Sequence, residues 1–288
     1  MRFCFIIEAE YRNESMPTVI ARRLLQLGHA VDLLEPSNTV TPLSGGQLDS
    51  YDAYVLKTVS EGPGLCILRA AQAAGIPTIN NPRSIGLVRD KSLCIAHANA
   101  HGLPIPRSYF VADPNVLKKI PKEHYPLVVK PTNGSSGRGI HLLNSPDDLA
   151  ATDVRGASVC FFLAQSYVEN PGYDIKLYVI GREVFAVARQ SPLHPELNVT
   201  SELLPLKPAW LKLAQRVGEV FDLDIYGLDV VETSKGPVVV DINDFPSFGQ
   251  VPDAIGRISH YILRLAGAPK LKRAWQGPDR RVSHMLSA

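Results

Sequence analysis

The stretch PLVVKPTNGSSGRGIHLL, residues 126–143, decides the fold, because a lysine and a glycine-rich loop join two apolar segments. The first segment, LVVK, is apolar until it ends at Lys130. A lysine that leaves a buried strand requires an anion, since an unpaired charge is costly to bury. The loop at 131–139 has three glycines and two serines, a composition that lets backbone N–H groups approach phosphate oxygens. The stretch therefore predicts a lysine and a flap over phosphate groups, with a flexible hairpin as the alternative.

The segment after this loop distinguishes it from another phosphate-binding loop. In P-loop NTPases a Gly-Lys-Ser or Gly-Lys-Thr sequence opens a helix, and no such sequence follows here. The apolar segment GIHLL at 139–143 predicts a second strand instead. We therefore expect a glycine-rich flap between two antiparallel strands, which can cover the phosphates of a nucleotide from above.

A second group of polar residues lies near the end of the chain, on two apolar segments. Asp241 and Asn243 follow GPVVV and are two residues apart, so both side chains point to one face of a strand. Asp229, in GLDVVET, can lie opposite them across a hairpin. Three hard oxygen donors on one face suit Mg²⁺, which also takes water and phosphate oxygens. The alternative is that these residues only cap strand ends.

The order of the predicted elements divides the chain into three parts and gives an α/β fold class. Residues 1–88 alternate strands and helices, which predicts an open parallel α/β lobe. Residues 89–267 contain several short strands in succession, which predicts antiparallel sheets with helices. Residues 268–288 form a basic tail. Within this organisation we expect one continuous helix over 84–102, with Arg-Asp-Lys at 89–91 in its centre.

The composition excludes several classes of protein. The formal net charge of +2 over 288 residues is too small to indicate a nucleic-acid partner. The chain has no run of about 18 apolar residues, so we expect no membrane span. The apolar run at the start, FCFII, is too short for the core of a signal peptide. We therefore expect a cytoplasmic enzyme or binding protein.

The combination of these motifs resembles the ATP-grasp superfamily. The matching pieces are RDK at 89–91, LVVKP with GSSGRG within 127–139, AQSYVE at 164–169, DIKLYVIG at 174–181, GLDVVE at 227–232 and DIN at 241–243. The order of these pieces is more specific than any one of them. The resemblance implies an ATP-grasp fold, in which two lobes of antiparallel sheet and helix clamp ATP behind an N-terminal α/β lobe.

The resemblance also implies a role for individual residues. Lys91 and Lys130 match the two lysines that hold the ATP phosphates, and either Glu169 or Asp174 matches the partner of the ribose hydroxyls. The adenine would be read by backbone groups of the hinge between the lobes, which comprises Gln165, Ser166, Tyr167 and Val168. The flap residues over the γ-phosphate would be Ser135, Ser136 and Gly137. The ligands of Mg²⁺ or Mn²⁺ would be Asp229, Asp241 and Asn243.

One group within the superfamily, the RimK-like glutamate ligases, predicts a carboxylate as the acceptor of the γ-phosphate. The chain resembles these ligases in INNPRSIGLVRDKS, in GSSGRGI and in VFAVARQ, where Arg189 matches an arginine placed for the acyl phosphate. An amine would then attack the acyl phosphate to give an amide, ADP and phosphate. The sequence departs from these ligases after that strand, because SPLHPELNVTSELLPLKP has neither their Arg-x-Asn segment nor their Gly-Gly pair.

A second group, the ATP-grasp inositol polyphosphate kinases, predicts a hydroxyl acceptor. The chain resembles these kinases in VLKT, IKLYVIG, ARQSPL and DINDFPSFGQVPDA, although its flap lacks the histidines that they often carry. In this interpretation the substrate phosphates would bind a basic basin formed by Lys57, Lys176, Arg189 and His194. The alternative for Lys176 is an ordinary ion pair with Asp174 or Glu183, and Arg138 in the flap contacts either phosphate or solvent.

The ligase is the favoured reaction, because most members of the superfamily make carbon–nitrogen bonds, which is an argument from analogy. Arg189 and Lys176 are then the candidate catalytic residues, and the substrates are small molecules or peptides. A non-catalytic nucleotide-binding module is a more remote alternative. The oligomeric state is left open, with a homo-oligomer among the alternatives.

Overall fold

The structure is a computed structural model, and it describes residues 1–8, 11, 15–43, 46, 48–57, 62–132, 139–150 and 161–268. Four predicted flap residues, Ser135, Ser136, Gly137 and Arg138, lie outside the described residues, as does the predicted tail beyond residue 268. Within the described ranges, none of the helices has the length and apolar character needed to cross a membrane.

The first lobe is a parallel sheet, as the alternation of elements predicts. Its strands are β1 (Arg2–Ile7), β2 (Ala30–Leu34), β3 (Ala53–Lys57) and β4 (Thr78–Ile79), and they lie in the order β2-β1-β3-β4. All three pairings are parallel. The helices α1 (Ser15–Gln26) and α2 (Gly64–Ala73) belong to this lobe. β1 and β3 are almost wholly buried, as expected for parallel strands that are covered on both faces.

The second sheet carries the lysine of the opening stretch. Its strands are β5 (Ser108–Val111), β6 (Leu127–Pro131), β7 (His141–Leu143) and β8 (Phe162–Ser166), in the order β5-β8-β6-β7. All the pairings are antiparallel. Leu127 and Val129 are buried in the core of this sheet, and Lys130 follows them at the end of β6.

The third sheet provides most of the polar residues that the sequence singles out. Its strands are β9 (Tyr173–Ile180), β10 (Glu183–Gln190), β11 (Leu203–Leu204), β12 (Ile225–Thr233) and β13 (Gly236–Asp244), in the order β11-β10-β9-β12-β13. The sheet is antiparallel throughout.

The two faces of this five-stranded sheet differ in character. Ile175, Leu177 and Val179 of β9 pack into an apolar layer with the helices α4 (Lys91–Ala100) and α5 (Pro208–Phe221). We call this side the helix face. The alternate residues, including Lys176, lie on the other side, which we call the cavity face because it lines the cavity described below. The last helix, α6 (Ala254–Gly267), packs with α1 in a core that the first lobe shares with the sheet.

The expected continuous helix over 84–102 is wrong, because the chain breaks at Asp90 into α3 (Pro82–Arg89) and α4. Asp90 has an extended backbone, with φ −87° and ψ 102°. Its side chain accepts hydrogen bonds from the backbone N–H groups of Ser92 and Leu93, at 2.9 and 3.1 Å. These bonds satisfy amides that lack partners at the start of a helix, so Asp90 is an N-cap. The break places Arg89 and Lys91 on either side of an elbow.

A buried asparagine ties the first lobe to the five-stranded sheet. Asn80 follows β4, and its side-chain amide donates to the Ile225 carbonyl at 2.7 Å. Its side-chain oxygen accepts from the N–H groups of Asp224 and Ile225, at 2.9 and 2.7 Å. The parallel first lobe and the two antiparallel sheets together confirm the predicted mixed α/β class.

Candidate active site

A cavity of about 630 Å³ lies between the second sheet and the cavity face of the third. Most of the predicted site residues that the structure describes line this cavity. They are Lys57, Lys91, Lys130, Gln165, Ser166, Tyr167, Val168, Asp174, Lys176, Arg189, Asp229, Asp241 and Asn243. Glu169, which is exposed, and His194 are not part of this lining.

A row of charged residues crosses the cavity face from β9 to β13. Lys176, Asp229 and Asp241 are successive register partners on β9, β12 and β13. The Lys176 Nζ lies 2.8 Å from Asp229 Oδ1 and 2.9 Å from Asp229 Oδ2. The expected alternative, in which Lys176 only forms an ion pair with Asp174 or Glu183, is therefore wrong in its partner. Glu183 instead contacts Arg257.

A β-bulge next to this row turns the metal-ligand candidates toward the cavity. Asp229 pairs with Asp241, but the next residue, Val230, pairs with Val239, so Val240 is an extra residue in β13. A bulge of this kind changes which side chains share a face. Val239 and Ile242 therefore both lie in the apolar layer on the helix face, while Asp241 lines the cavity.

Two lysines approach β13 from the other side of the cavity. Lys91, the first residue of α4, donates from Nζ to both carboxylate oxygens of Asp241, at 2.6 and 2.7 Å. Lys130 donates from Nζ to the carbonyl of the bulged residue Val240 at 2.8 Å. The backbone N–H of Lys91 also donates to the Thr132 carbonyl at 2.9 Å, which ties α4 to the start of the flap.

The electrostatics of these three groups follow from burial and from their mutual contacts. Burial lowers the pKa of the Lys130 ammonium. Burial also acts to lower the pKa of Lys91, but Asp241 outweighs it and the pKa of Lys91 is raised. Burial would raise the pKa of Asp241, yet Lys91 and Lys130 hold it below its usual range. The site therefore keeps Asp241 ionised, as a cation ligand must be.

The residues at the centre of the cavity fit a phosphate-bound Mg²⁺. The Asn243 side-chain nitrogen donates to Asp229 Oδ2 at 3.1 Å, which leaves its side-chain oxygen as the ligand atom. Among the described residues there is no group of three or more His, Cys, Asp or Glu that could hold a metal ion. Two carboxylates and an amide suit a Mg²⁺ ion that completes its shell with substrate phosphates and water.

The predicted hinge begins in the last two residues of β8, at the other end of the cavity. Gln165 is buried and donates to the Ser108 hydroxyl at 3.0 Å. The Tyr167 N–H donates to the Pro126 carbonyl at 2.7 Å, so this amide already has a partner. The Ser166 hydroxyl is buried and has no hydrogen-bond partner in the described part of the chain. A nucleotide base in the cavity could satisfy it.

Two further charged residues, Asp174 and Arg189, lie on the cavity face. They are register partners on the neighbouring strands β9 and β10. Burial raises the pKa of Asp174 to about 6, and the charge of Asp229 adds to this effect. The Ser191 hydroxyl, Arg189 and Lys176 act in the opposite direction. Arg189 and the buried Tyr178 both line the cavity. Burial raises the pKa of Tyr178, and the charge of Arg189 acts in the opposite direction.

Two predicted substrate residues, Lys57 and His194, lie in different places relative to the cavity. Lys57 lines the cavity at the end of β3, where its Nζ donates to the Phe245 carbonyl at 2.9 Å and lies 4.8 Å from the centre of the Tyr11 ring. His194 lies outside the lining and hydrogen-bonds to the Tyr167 hydroxyl at 2.9 Å. His194 therefore contacts the hinge and not the proposed basic basin.

Sequence reasoning missed a buried ion pair in the cavity wall. Arg89 Nε donates to Asp244 Oδ1 at 3.1 Å, and the second contact, from a terminal guanidinium nitrogen to Oδ2, is 2.9 Å. The two side chains are 9% and 10% exposed. Each belongs to a motif that the sequence does show, RDK and DIND. The sequence contains no signal that pairs them, because 155 positions separate them.

The chain is similar to known proteins in both sequence and fold. The chain is 25% identical over 256 residues to a probable alpha-L-glutamate ligase from Mannheimia succiniciproducens, covering 80% of this chain and 86% of the relative. The fold is similar to the crystal structure of a RimK domain ATP-grasp protein from Sphaerobacter thermophilus, with a TM-score of 0.70, 22% identity, and coverage of 91% and 100% of the two chains. It is also similar to the ATP-grasp ligase PsnB in complex with a minimal precursor, Mg and ADP, with a TM-score of 0.69, 18% identity, and coverage of 91% and 98%.

These neighbours confirm the predicted ATP-grasp fold. The sequence pattern described as "RimK-like ATP-grasp domain" matches residues 88–258. That range includes β6, the hinge and the whole row of charged residues from β9 to β13. Because the match spans more than half of the chain, this protein is a member of the RimK-like ATP-grasp family.

Proposed function

We propose that the protein is an Mg-ATP-dependent ligase that joins a carboxylate to an amine through an acyl phosphate. The observation that carries this proposal is the convergence of Lys91, Lys130 and Arg189 on the cavity that also holds Asp229 and Asp241. Phosphoryl transfer to a carboxylate brings two anions together, so it requires fixed positive charge around the phosphate. The ligase names of the relatives favour this reaction over phosphorylation of a hydroxyl.

The first step of this reaction is phosphoryl transfer. A carboxylate oxygen of the substrate attacks the γ-phosphorus of ATP, an O–P bond forms, and the bond to the bridging oxygen of ADP breaks. Lys91 and Lys130 are placed to neutralise the phosphate oxygens, because both ammonium groups lie in the wall of the cavity. The products of this step are an acyl phosphate and ADP.

The second step is formation of the amide. The amine nitrogen attacks the acyl carbon, the C–N bond forms, phosphate leaves with the electrons of the C–O bond, and the amine releases a proton to solvent. Arg189 and Lys176 are the proposed catalytic residues, since both are cations on the cavity face. They would stabilise the negative charge on the acyl phosphate and on the leaving phosphate.

Asp229, Asp241 and Asn243 would hold the metal ion in this proposal. When bound, Mg²⁺ would neutralise charge on the phosphates of ATP. The same oxygen donors would accept Mn²⁺. Lys176 and Lys91 contact the two carboxylates directly, so these lysines set the charge of the metal site as well as that of the phosphate site.

The remaining assignments belong to the same proposal. The hinge 165–168 would read adenine, Asp174 or Glu169 would bind the ribose, and the flap residues Ser135, Ser136, Gly137 and Arg138 would cover the γ-phosphate. In this proposal, residues 1–88 form an N-terminal substrate-side domain and residues 89–267 form the ATP-grasp domain. The acceptor is a small molecule or a peptide, and a cytoplasmic location, where ATP is available, is part of the proposal.

Phosphorus NMR of the purified protein with Mg-ATP tests this proposal. The substrate panel combines amino acids, small carboxylates, peptides and inositol phosphates. We expect ADP and free phosphate only in samples that contain both a carboxylate and an amine. A new phosphomonoester signal without free phosphate would instead identify a kinase and overturn the ligase. The variant Asn243→Ala should lose turnover, while Arg216→Met, at an exposed position on α5, should not.

A further inference from the structure

The elbow between α3 and α4 holds β13 at two points. Lys91, on one side of Asp90, contacts Asp241, and Arg89, on the other side, contacts Asp244 through two hydrogen bonds. The two carboxylates are three residues apart on β13, and Asn243 lies between them. The candidate metal-ligand end of the strand is therefore fixed from both sides by one short segment.

The Arg89–Asp244 contact fixes the orientation of the Asp244 carboxylate. Its two parallel hydrogen bonds, at 3.1 and 2.9 Å, join the planar guanidinium to both oxygens of one carboxylate. A bidentate pair of this kind fixes direction as well as distance, which a lysine cannot do. Both side chains are also largely buried, so solvent competes less for this contact than it would at the surface.

The residue after Asp244 is held as well. Phe245 has a left-handed backbone with φ 50°, a conformation that is strained for a bulky residue. Its N–H donates to the Ile225 carbonyl at 3.2 Å, and its own carbonyl accepts from Lys57 at 2.9 Å. The strand thus ends in a fixed turn immediately after the paired carboxylate. Movement of Asp244 would move Asn243 on one side and this turn on the other.

We infer that Arg89 is a positioning residue for the metal site, which acts through Asp244 to hold Asn243 and Asp241 in the geometry that the metal requires. This inference rests on the proposed Mg-ATP site. Groups that orient metal ligands are typically worth about 10- to 100-fold in metal affinity. The contact through which Arg89 acts is with Asp244, which is not one of the proposed metal ligands.

Binding of Mn²⁺ in the presence of saturating ADP tests the inference without any turnover. Electron paramagnetic resonance reports free Mn²⁺, so it gives a dissociation constant for wild type, Arg89→Met, Arg89→Lys and Asp244→Asn. We expect the constant to rise about 10- to 100-fold in Arg89→Met and partly to recover in Arg89→Lys. The affinity for ADP measured without metal should change much less, because it depends on the lysines of the site. Arg216→Met is the matched control for the loss of an arginine.

A double variant separates positioning from general damage. If Arg89 acts through Asp244, Arg89→Met with Asp244→Asn should weaken Mn²⁺ binding no more than Arg89→Met alone, since contacting residues are not additive. Should Arg89→Met fail to fold by circular dichroism, Arg89→Lys and Asp244→Asn decide the question. Unchanged Mn²⁺ affinity in folded variants would overturn the inference alone. Absence of Mn²⁺ binding in wild type would overturn the proposed metal site, and the inference with it.

Discussion

Lys176 of β9 and Asp229 of β12 are register partners, and their charged groups lie 2.8 Å apart on the cavity face. The Lys176 side chain is only 4% exposed, so the pair is shielded from solvent. Such a pair is costly to break from one side, because the remaining charge is left buried without its partner. In the proposed reaction Lys176 has two tasks, which are to neutralise Asp229 and to present positive charge to the phosphates.

Replacement of Lys176 by Met should remove both tasks. We expect kcat for ADP release to fall about 100- to 1000-fold, the range observed when one group that stabilises a transition-state charge is lost. Lys176→Arg retains the charge and should recover part of the activity. The control is Lys235→Met, since Lys235 lies exposed in the turn between β12 and β13. Activity within about twofold of wild type in a folded Lys176→Met variant would contradict the catalytic assignment.

Replacement of Lys130 by Met should act on nucleotide binding. Hydrogen bonds to charged groups contribute about 1.5–3 kcal/mol, so we expect the dissociation constant of a non-hydrolysable ATP analogue to rise about 10- to 100-fold. Isothermal titration calorimetry measures this directly. Lys118→Met, at an exposed position between β5 and β6, provides the comparison. Equal affinities in the two variants would show that Lys130 does not bind the phosphates.

Replacement of Gly227 by Ala tests the packing beneath the charged row. A Cβ atom at Gly227 would lie 3.0 Å from Lys176 Cε and 3.0 Å from Pro246 Cγ. Both contacts are tighter than usual, so Lys176 or the turn at Pro246 must shift. We expect kcat to fall about tenfold or more, because small displacements in an active site are costly. Gly249→Ala is the matched control, since its Cβ would meet nothing within 4 Å. Equal kcat in both variants would contradict this explanation.

The raised pKa of Asp174 predicts a pH-dependent stability. An aspartate in an unfolded chain has a pKa of about 3.9, whereas burial raises that of folded Asp174 to about 6. Between these values the folded protein binds more protons than the unfolded chain, so stability falls as pH rises. Asp174→Asn has no carboxyl group at this position to titrate, so the variant should not show this loss of stability. The difference in Tm between the variant and wild type should therefore grow in favour of the variant from pH 4 to pH 6 and then level off. A constant difference across this range would contradict the raised pKa.

Much of the fold was predictable from local patterns. The alternation in the first lobe predicts the parallel sheet that contains β1 and β3, and Gly181 lies in the tight turn that joins β9 to β10, with φ 61°. The two-residue spacing of Asp241 and Asn243 predicts a shared face. These features depend on residues that are close in sequence, where the chain geometry leaves few alternatives.

The features that sequence reasoning missed have two causes. Some depend on contacts between residues that are distant in sequence, and one depends on which of two local roles a side chain takes. The helix break at Asp90 is of the second kind, because an aspartate within an apolar periodic segment can either face solvent in a continuous helix or cap a new helix. The Arg89–Asp244 pair joins the elbow to a strand 155 positions later. The displacement of His194 follows from its bond to Tyr167, which no spacing indicates.

The extra residue Val240 gives β13 two different phases. Val239, at an odd-numbered position, and Ile242, at an even-numbered one, both face the apolar layer, because the extra residue shifts the alternation by one. Deletion of Val240 would leave every charged side chain in place in the sequence. With no extra residue to accommodate, the strand would alternate regularly from Val239 onward, so Asp241 and Asn243 would still face the cavity. The deletion would instead remove the bulged carbonyl to which Lys130 donates. A related chain that retains Asp-Ile-Asn but is one residue shorter at this position would thus keep the metal-ligand candidates in the cavity and lose the bulge that anchors the proposed phosphate-binding lysine.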